Sequence, residues 1–267
     1  MLRSLKELEN FTVGATDGDI GTVGDFYFDD GRWAVRYLVV QTGGFWEHPT
    51  PVLITPLAFR QVDWPTQRFH LALTQQRVKD SPSIDLDKPV SRQFEQDYYR
   101  YYGWPYYWGS DGLWGNMAYP AELVEAEARG PREDLDEADP NLRSLKEVTG
   151  YHLQGVDGEI GHVADLIVDD RTWAIRYLVV DTSNWWMGKQ ILLSPHWVER
   201  ISWAENNVYL TLPREAIKNS PEWKPDQLVN REYEVRLYDY YGRPAYWADA
   251  AKDDDDSRVA GAPPKVL

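Results

Sequence analysis

Residues 18–40 read GDIGTVGDFYFDDGRWAVRYLVV, and residues 158–180 read GEIGHVADLIVDDRTWAIRYLVV. The second halves of these segments are the most similar, because residues 29–40 match residues 169–180 at nine of twelve positions. Similarity over such a length is typical of a duplication within one chain.

The duplication extends well beyond these two segments. The hexapeptide LRSLKE occurs at Leu2 and again at Leu142, and the last matching residues are Trp108 and Trp247. Two long copies indicate a duplicated domain and not a solenoid of short repeats. We predict four regions: repeat 1 with a helical arm (1–108), an acidic linker (109–140), repeat 2 with a helical arm (141–249) and a disordered acidic tail (250–267).

The predicted linker changes character along its length. Its first part contains Leu113, Trp114 and Tyr119, which are able to pack against a domain. Residues 122–139 are rich in Glu, Asp and Ala, which is typical of a solvated segment with one helical turn at most.

Each repeat carries the signals of short β-strands joined by tight turns. Asp17-Gly18 and Asp157-Gly158 are typical of two-residue hairpin turns. Short strands at close spacing with Gly and Asp turns favour a small barrel or sandwich. In repeat 1 the predicted strands are 11–16, 19–28, 33–42, 51–55, 59–63 and 68–73, with equivalents in repeat 2.

The turn after the second strand predicts a register. If residues 29–32 form a four-residue loop, Asp25 lies opposite Arg36, and the same count places Asp165 opposite Arg176. Opposite charges at facing positions stabilise antiparallel strands. We therefore predict one structural cross-strand pair in each repeat.

A helical arm follows the strands of each repeat. Val90, Phe94 and Tyr98 recur at a helical spacing in repeat 1, as Val229, Tyr233 and Leu237 do in repeat 2. Gly103 and Gly242 stand where helix-terminating glycines are expected.

The strand pattern of residues 18–40 and 158–180 resembles the PRC-barrel family, and the Tyr-rich arms resemble those of bacterial stand-alone members. The resemblance covers about 75 residues in each repeat. It implies a mainly β protein with two small PRC-type β-barrels in tandem, each followed by a short helical arm. Related modules form the cytoplasmic part of the photosynthetic reaction-centre H subunit and the end of a ribosome-maturation factor, where they act as adaptors and not as catalysts.

Composition excludes several classes of function. A formal net charge of -15 argues against nucleic-acid binding, which requires clustered Lys and Arg. The absence of cysteine excludes disulfides, thiolate metal sites and a cysteine nucleophile. The sequence shows neither a signal peptide nor an integral membrane segment, so we expect a cytoplasmic protein.

No cofactor or metal site is predicted. The five histidines (His48, His70, His152, His162 and His196) show no metal-ligand spacing, and none recurs in both repeats. Gly18, Gly21 and Gly24 lie in a predicted hairpin and are better interpreted as turn and bulge glycines than as a phosphate loop. Calcium binding by the four aspartates of residues 253–256 is a weaker alternative to a disordered tail.

Aromatic residues in two equivalent loops are the candidate partner-binding residues. Apolar side chains at loop tips are typical interface anchors, and Trp is enriched in binding hot spots. The alternative is that these loops fold back onto a barrel or onto the other domain. The candidates are Phe45 and Trp46 in repeat 1, and Trp185, Trp186 and Met187 in repeat 2.

We expect a non-enzymatic adaptor or scaffold that binds a basic or apolar protein partner, with the repeats packed as an internal pseudo-dimer. Homo-oligomerisation remains open. One alternative is a small-ligand-binding or enzymatic protein with a pocket between the barrels, and another is an accessory protein of a membrane complex.

Overall fold

A computed structural model of the chain describes residues 1–43, 50–86, 88–125, 142–182 and 188–248. The described residues form two β-sheets with few helices, which confirms the prediction of a mainly β protein. From the start of the chain to residue 125, the elements are β1 (Leu2–Ser4), α1 (Leu5–Leu8), β2 (Thr12–Ala15), β3 (Gly18–Asp29), β4 (Ala34–Thr42), β5 (Pro51–Ile54), a 3₁₀ turn (Pro56–Ala58), β6 (Phe59–Asp63), β7 (Arg68–Leu71), α2 (Gln75–Lys79), α3 (Arg92–Tyr102) and α4 (Pro120–Glu125).

The second repeat contains the same series of elements and one additional short strand. Its elements are β8 (Leu142–Ser144), α5 (Leu145–Val148), β9 (His152–Gly155), β10 (Gly158–Asp169), β11 (Ile175–Asp181), β12 (Gln190–Leu193), a 3₁₀ turn (Pro195–Trp197), β13 (Val198–Ser202), β14 (Asn207–Leu210), α6 (Arg214–Lys218), β15 (Glu222–Trp223) and α7 (Arg231–Tyr241).

The two sheets share one strand order. In repeat 1 the order is β5-β4-β3-β2-β7-β6, and in repeat 2 it is β12-β11-β10-β9-β14-β13, with β15 added beside β12. The pairs β2–β7 and β9–β14 are parallel, and the other neighbours are antiparallel. Among the described strands no pairing joins β5 to β6, so closure into a barrel stays a prediction.

Glycine is required where β3 lies close against β4. A Cβ atom on Gly21 would lie 1.9 Å from the carbonyl oxygen of Gln41, and one on Gly161 would lie 2.1 Å from that of Asp181. Real Cβ atoms do not approach backbone oxygens this closely, so a side chain at either position would force the strands apart.

The predicted register of the long hairpin is wrong in both repeats. Asp25 lies opposite Val39, not opposite Arg36, and Asp165 lies opposite Val179, not opposite Arg176. The turn contributes first, because Phe28 lies opposite Val35 and not opposite Trp33, and a β-bulge at Arg36 then shifts the partner of Asp25 by one more residue. A second bulge, at Gly24, lies beyond Asp25, and repeat 2 has the same pattern. A bulge adds one unpaired residue to a strand and re-aims its side chain.

The first strand of each repeat joins the sheet of the other repeat. β1 pairs with β10, with Arg3 opposite Val168, while β8 pairs with β3, with Arg143 opposite Phe28. The two repeats are therefore in direct contact through exchanged strands, an arrangement that the sequence analysis did not foresee.

A second set of reciprocal contacts lies beside the exchanged strands. The amide of Val35 donates to the carbonyl of Trp173 (2.9 Å), and that of Ile175 donates to the carbonyl of Trp33 (2.7 Å). Both tryptophans have positive φ angles, 51° for Trp33 and 60° for Trp173. This unusual backbone conformation for a bulky residue presents each carbonyl to the opposite repeat.

The helical arms dock on the sheets through tyrosines. Ser91 caps the start of α3, and Gly103 ends it with a φ of 75°; Asn230 and Gly242 do the same for α7. Tyr98 of α3 is buried, and its hydroxyl donates to the carbonyl of Leu53 in β5 (3.0 Å). The arm is thus fixed to the end of the sheet.

Candidate binding site at the junction of the repeats

The aromatic loop residues predicted to bind a partner lie outside the described residues. This holds for Phe45 and Trp46 and for Trp185, Trp186 and Met187. Their assignment stays a prediction, and the site described below is built from other residues.

Asp25 and Asp165 bind the exchanged strands. The Asp165 carboxylate accepts hydrogen bonds from the Ser4 hydroxyl and the Lys6 amide (3.2 Å), and Asp25 accepts from the Ser144 hydroxyl (2.5 Å) and the Lys146 amide (3.2 Å). Burial raises the pKa of Asp165 to about 6 and also raises that of Asp25, although these hydrogen bonds oppose the shift. Both aspartates therefore hold the repeats together.

Arg36, the bulge residue of repeat 1, points into a closed environment. Its guanidinium donates to the Leu113 carbonyl (2.6 Å) and to the Asp29 carboxylate (3.1 Å). It lies over the ring of Tyr107 at 4.0 Å and over that of Trp114 at 4.8 Å. Stacking on aromatic faces is favourable for a guanidinium removed from water. Only 1% of the side chain is exposed.

Residues 109–125, placed in the predicted linker, provide this cover. The Trp114 side chain is fully buried, and its indole N–H donates to the carbonyl of Thr172 in the other repeat (2.7 Å). Farther along, α4 packs on the 3₁₀ turn Pro56–Ala58 with Leu123 buried. We call residues 109–125 the cover segment, because they lie over one face of repeat 1.

Arg176 is the equivalent bulge residue of repeat 2, and it is less enclosed. It lies over the ring of Tyr246 at 4.2 Å, as Arg36 lies over Tyr107. Its contact with Asp169 is longer, at 3.7 Å, and 21% of the side chain is exposed. The Nε atom is buried and has no hydrogen-bond partner within the described part of the chain.

A cavity of about 440 Å³ lies beside Arg176, at the junction of the repeats. Repeat 1 contributes Arg32 and Trp33 to its lining, and repeat 2 contributes Arg176 and His196. The remaining lining includes apolar side chains from both the cover segment and repeat 2: Leu113, Met117, Ile175 and Pro195. The site therefore combines apolar walls with polar groups from both repeats.

The charged side chains of this lining are both arginines, Arg32 and Arg176. The lining also includes His196, and no Asp or Glu is found among the described residues that line the cavity. Arg32 also donates to the carbonyls of Ser110 (2.8 Å) and Gly112 (3.2 Å), which holds the cover segment at the edge of the cavity. In a chain with a net charge of -15, such a lining favours an anionic group.

Sequence reasoning missed a buried carboxylate that occurs in both arms. Glu95 of α3 accepts hydrogen bonds from the hydroxyls of Tyr37 and Tyr107, both at 2.8 Å, and pairs with Arg92 at 2.6 Å. Burial raises the pKa of Glu95 to about 7. The equivalent cluster in α7 consists of Glu234, Tyr177, Tyr246 and Arg231.

These clusters are better interpreted as part of the fold than as a second site. Each cluster joins the arm to the long hairpin and to the residues that follow the arm. Each also contacts the bulge arginine of its repeat, because Tyr107 lies against Arg36 and Tyr246 lies against Arg176. The signal in the sequence was a glutamate that recurs next to the apolar stripe of both arms, at residues 95 and 234.

The described residues contain neither a candidate metal site nor a candidate membrane-spanning helix. No group of three or more His, Asp or Glu side chains is placed to hold a metal ion. No helix in that part of the chain is long and apolar enough to span a membrane.

The comparisons with known proteins add little about function. No family model matches the chain. The chain is similar to an uncharacterized protein of Deinococcus radiodurans, at 32% identity over 94 residues, which is 34% of this chain and 33% of that protein. The matched part is about a third of the length of this relative.

Proposed function

We propose that the protein is a non-enzymatic adaptor, built from two PRC-type β-barrels, that binds a protein partner in the cytoplasm. The observation that supports this most is the difference between two equivalent faces. On repeat 1 the face around Arg36 is covered by the chain's own residues 109–125, whereas on repeat 2 the face around Arg176 borders a cavity. A face that binds a peptide segment in one repeat is well suited to bind one in the other.

The strand arrangement supports the barrel part of this proposal. Both repeats have one strand order with a parallel pair between β2 and β7 or between β9 and β14, and long strands β3 and β10 that carry bulges. Bulges and strong curvature are typical of sheets that bend towards closure.

The chemistry of the cavity supports binding over catalysis. Its charged groups, Arg32 and Arg176, are donors beside apolar walls, and they are suited to recognise an acceptor. General acid–base or nucleophilic catalysis needs a base beside a nucleophile, and Arg is a poor base because it stays protonated. The five loop residues Phe45, Trp46, Trp185, Trp186 and Met187 remain proposed as additional partner contacts.

The absence of cysteine allows a direct test. A His196→Cys variant carries one unique thiol at the cavity, to which a photo-crosslinker is attached. A Glu205→Cys variant carries it at an exposed position in the turn after β13 and serves as the matched control. We expect a partner to be captured from native lysate by the first variant only, to be identified by mass spectrometry, and to bind the purified chain. Equal capture by both variants, or by neither, would contradict the proposal.

A further inference from the structure

We infer that the cavity beside Arg176 binds an acidic peptide segment with an aromatic side chain, contributed by the partner protein. The inference rests on the proposed function and specifies the chemistry of the partner. It starts from the cover segment, which is an example, within the same chain, of what the equivalent face of repeat 1 binds.

Arg36 and Arg176 differ in what surrounds their guanidinium groups. The Arg36 guanidinium stacks on the ring of Tyr107 and donates a hydrogen bond to the Leu113 carbonyl. The indole ring of Trp114 also lies against it. Arg176 has the equivalent tyrosine, Tyr246, but within the described ranges its guanidinium donates to no backbone carbonyl and lies over no indole ring, while the Nε atom is buried and without a partner in both arginines. A peptide can provide the carbonyl acceptor and the aromatic ring that Leu113 and Trp114 provide to Arg36.

The two repeats also differ in what covers the 3₁₀ turn near the bulge arginine. In repeat 1 the turn Pro56–Ala58 packs against α4 of the cover segment. In repeat 2 the equivalent turn contributes Pro195 and His196 to the lining of the cavity. Within the part of the chain that the structure describes, the uncovered face of repeat 2 thus extends over the same two elements that the cover segment occupies in repeat 1.

Charge and size specify the ligand further. The charged groups of the lining are Arg32 and Arg176, so a segment with a carboxylate complements them. A volume of about 440 Å³ lies within the range of about 300–1,000 Å³ that is typical of ligand pockets. It is large enough for an aromatic side chain with adjoining peptide groups.

The test uses the cover segment itself as the probe. A fluorescein-labelled peptide with the sequence of residues 109–118, GSDGLWGNMA, with both ends blocked, is titrated with the full-length chain at low salt and followed by fluorescence anisotropy. We expect saturable binding with a Kd below about 1 mM. Peptides with Trp114→Ala or Asp111→Asn are expected to bind about tenfold more weakly, because each loses one of the inferred contacts.

Three protein variants locate the site. Arg176→Gln removes the guanidinium, and His196→Glu places a negative charge on an exposed position of the lining. Both are expected to weaken binding about tenfold, and the second does so without disturbing a buried group. Arg200→Gln, which removes an exposed arginine of β13 that does not line the cavity, is the matched control and is expected to bind like the wild type.

Several outcomes would overturn the inference. They are no binding at about 1 mM protein, equal binding by all three variants, and tighter binding of free indole-3-acetate than of the peptide, which would indicate a small-molecule ligand. Binding that appears only after the four aspartates of residues 253–256 are replaced by serine would identify the chain's own tail as the occupant. Failure of the peptide with successful crosslinking from His196→Cys would reject this peptide chemistry and leave the adaptor proposal standing.

Discussion

Arg36 and Arg176 occupy the same bulge position in the two repeats, yet 1% of the Arg36 side chain is exposed and 21% of the Arg176 side chain. The difference comes from Leu113 and Trp114, which contact Arg36 and have no described counterpart at Arg176. Among the described residues, the chain itself therefore covers this position in repeat 1 and leaves the equivalent position of repeat 2 more exposed.

Replacing Trp114 by Ala should strongly destabilise the protein. The change removes a fully buried indole and its hydrogen bond to Thr172, and the expected loss is about 3–5 kcal/mol in the free energy of unfolding. Urea denaturation followed by tryptophan fluorescence measures it. Leu228→Ala, at a side chain that is 67% exposed, is the control and should change the value by less than about 0.5 kcal/mol. A small effect at Trp114 would mean that the cover segment does not hold the repeats together.

Glu95→Gln should remove a pH dependence of stability. The folded-state pKa of Glu95 is about 7, above its ordinary value of 4.5, so the folded protein binds this proton more tightly than the unfolded chain does. The stability that it contributes is complete below pH 4.5 and is lost as the pH rises through 7, by up to about 3 kcal/mol in all.

Denaturant titrations of the wild type and the Glu95→Gln variant between pH 4.5 and 7.5 test this dependence. Glutamine keeps an acceptor for Tyr37 and Tyr107, so the fold should survive the change. Glu122→Gln, at an exposed position of α4, is the control. Parallel pH profiles for wild type and Glu95→Gln would show that the carboxyl does not titrate in this range.

Gly21→Ala should be among the most damaging single changes in the sheet. The new methyl group would meet the Gln41 carbonyl oxygen at 1.9 Å, so the strands β3 and β4 must separate. We expect a loss of more than about 3 kcal/mol, measured as the shift of the urea midpoint. At Gly43 nothing lies within 4 Å of the added Cβ, and Gly43→Ala should be nearly neutral.

Ser4→Ala should cost more stability than Ser144→Ala. Each serine caps the helix that follows it and donates to an aspartate of the other repeat, Asp165 for Ser4 and Asp25 for Ser144. Loss of such a cap costs about 1–2 kcal/mol, and a buried carboxylate left without its donor adds to this. Asp165 is buried and Asp25 is half-buried, which sets the order. Equal losses in thermal unfolding would contradict it.

Residues 1–125 expressed alone should form a homodimer. Without residues 142–144, β3 loses the strand that pairs with it from repeat 2, and β1 loses its place on β10. Because LRS occurs both in β1 and in β8, a second copy can supply the missing strand. Size-exclusion chromatography with light scattering distinguishes a dimer from a monomer. A stable monomer would show that the exchanged strand is dispensable.

Local features were predictable from the sequence because local residues determine them. The strands at 59–63, the hairpin turn before Gly18 and the helix stop at Gly103 were each marked by residue types with known backbone preferences. No residue type in the sequence indicates the exchange of strands between the repeats. Since LRSLKE is identical in both copies, pairing with either sheet satisfies the same pattern.

The candidate site was harder to predict for a related reason. The register prediction placed Arg36 opposite Asp25, because the sequence marks neither the residue that a bulge leaves unpaired nor the first pair that follows the turn. His196 shows no metal-ligand spacing and has no counterpart in repeat 1, and its place in the cavity depends on contacts between the repeats. Such long-range contacts are absent from any short window of sequence.

The exchanged strands also set an order for biosynthesis. β3 is complete only when β8 pairs with it, so residues 27–29 must wait for residues 142–144 to leave the ribosome. In the same way β1, made first, pairs only after residues 167–169 of β10 have been synthesised. Repeat 1 therefore cannot finish folding as an independent unit during translation. The nascent chain carries unpaired strand edges until residue 169 has been synthesised. At that stage rapid synthesis or chaperones protect these edges from pairing with other chains.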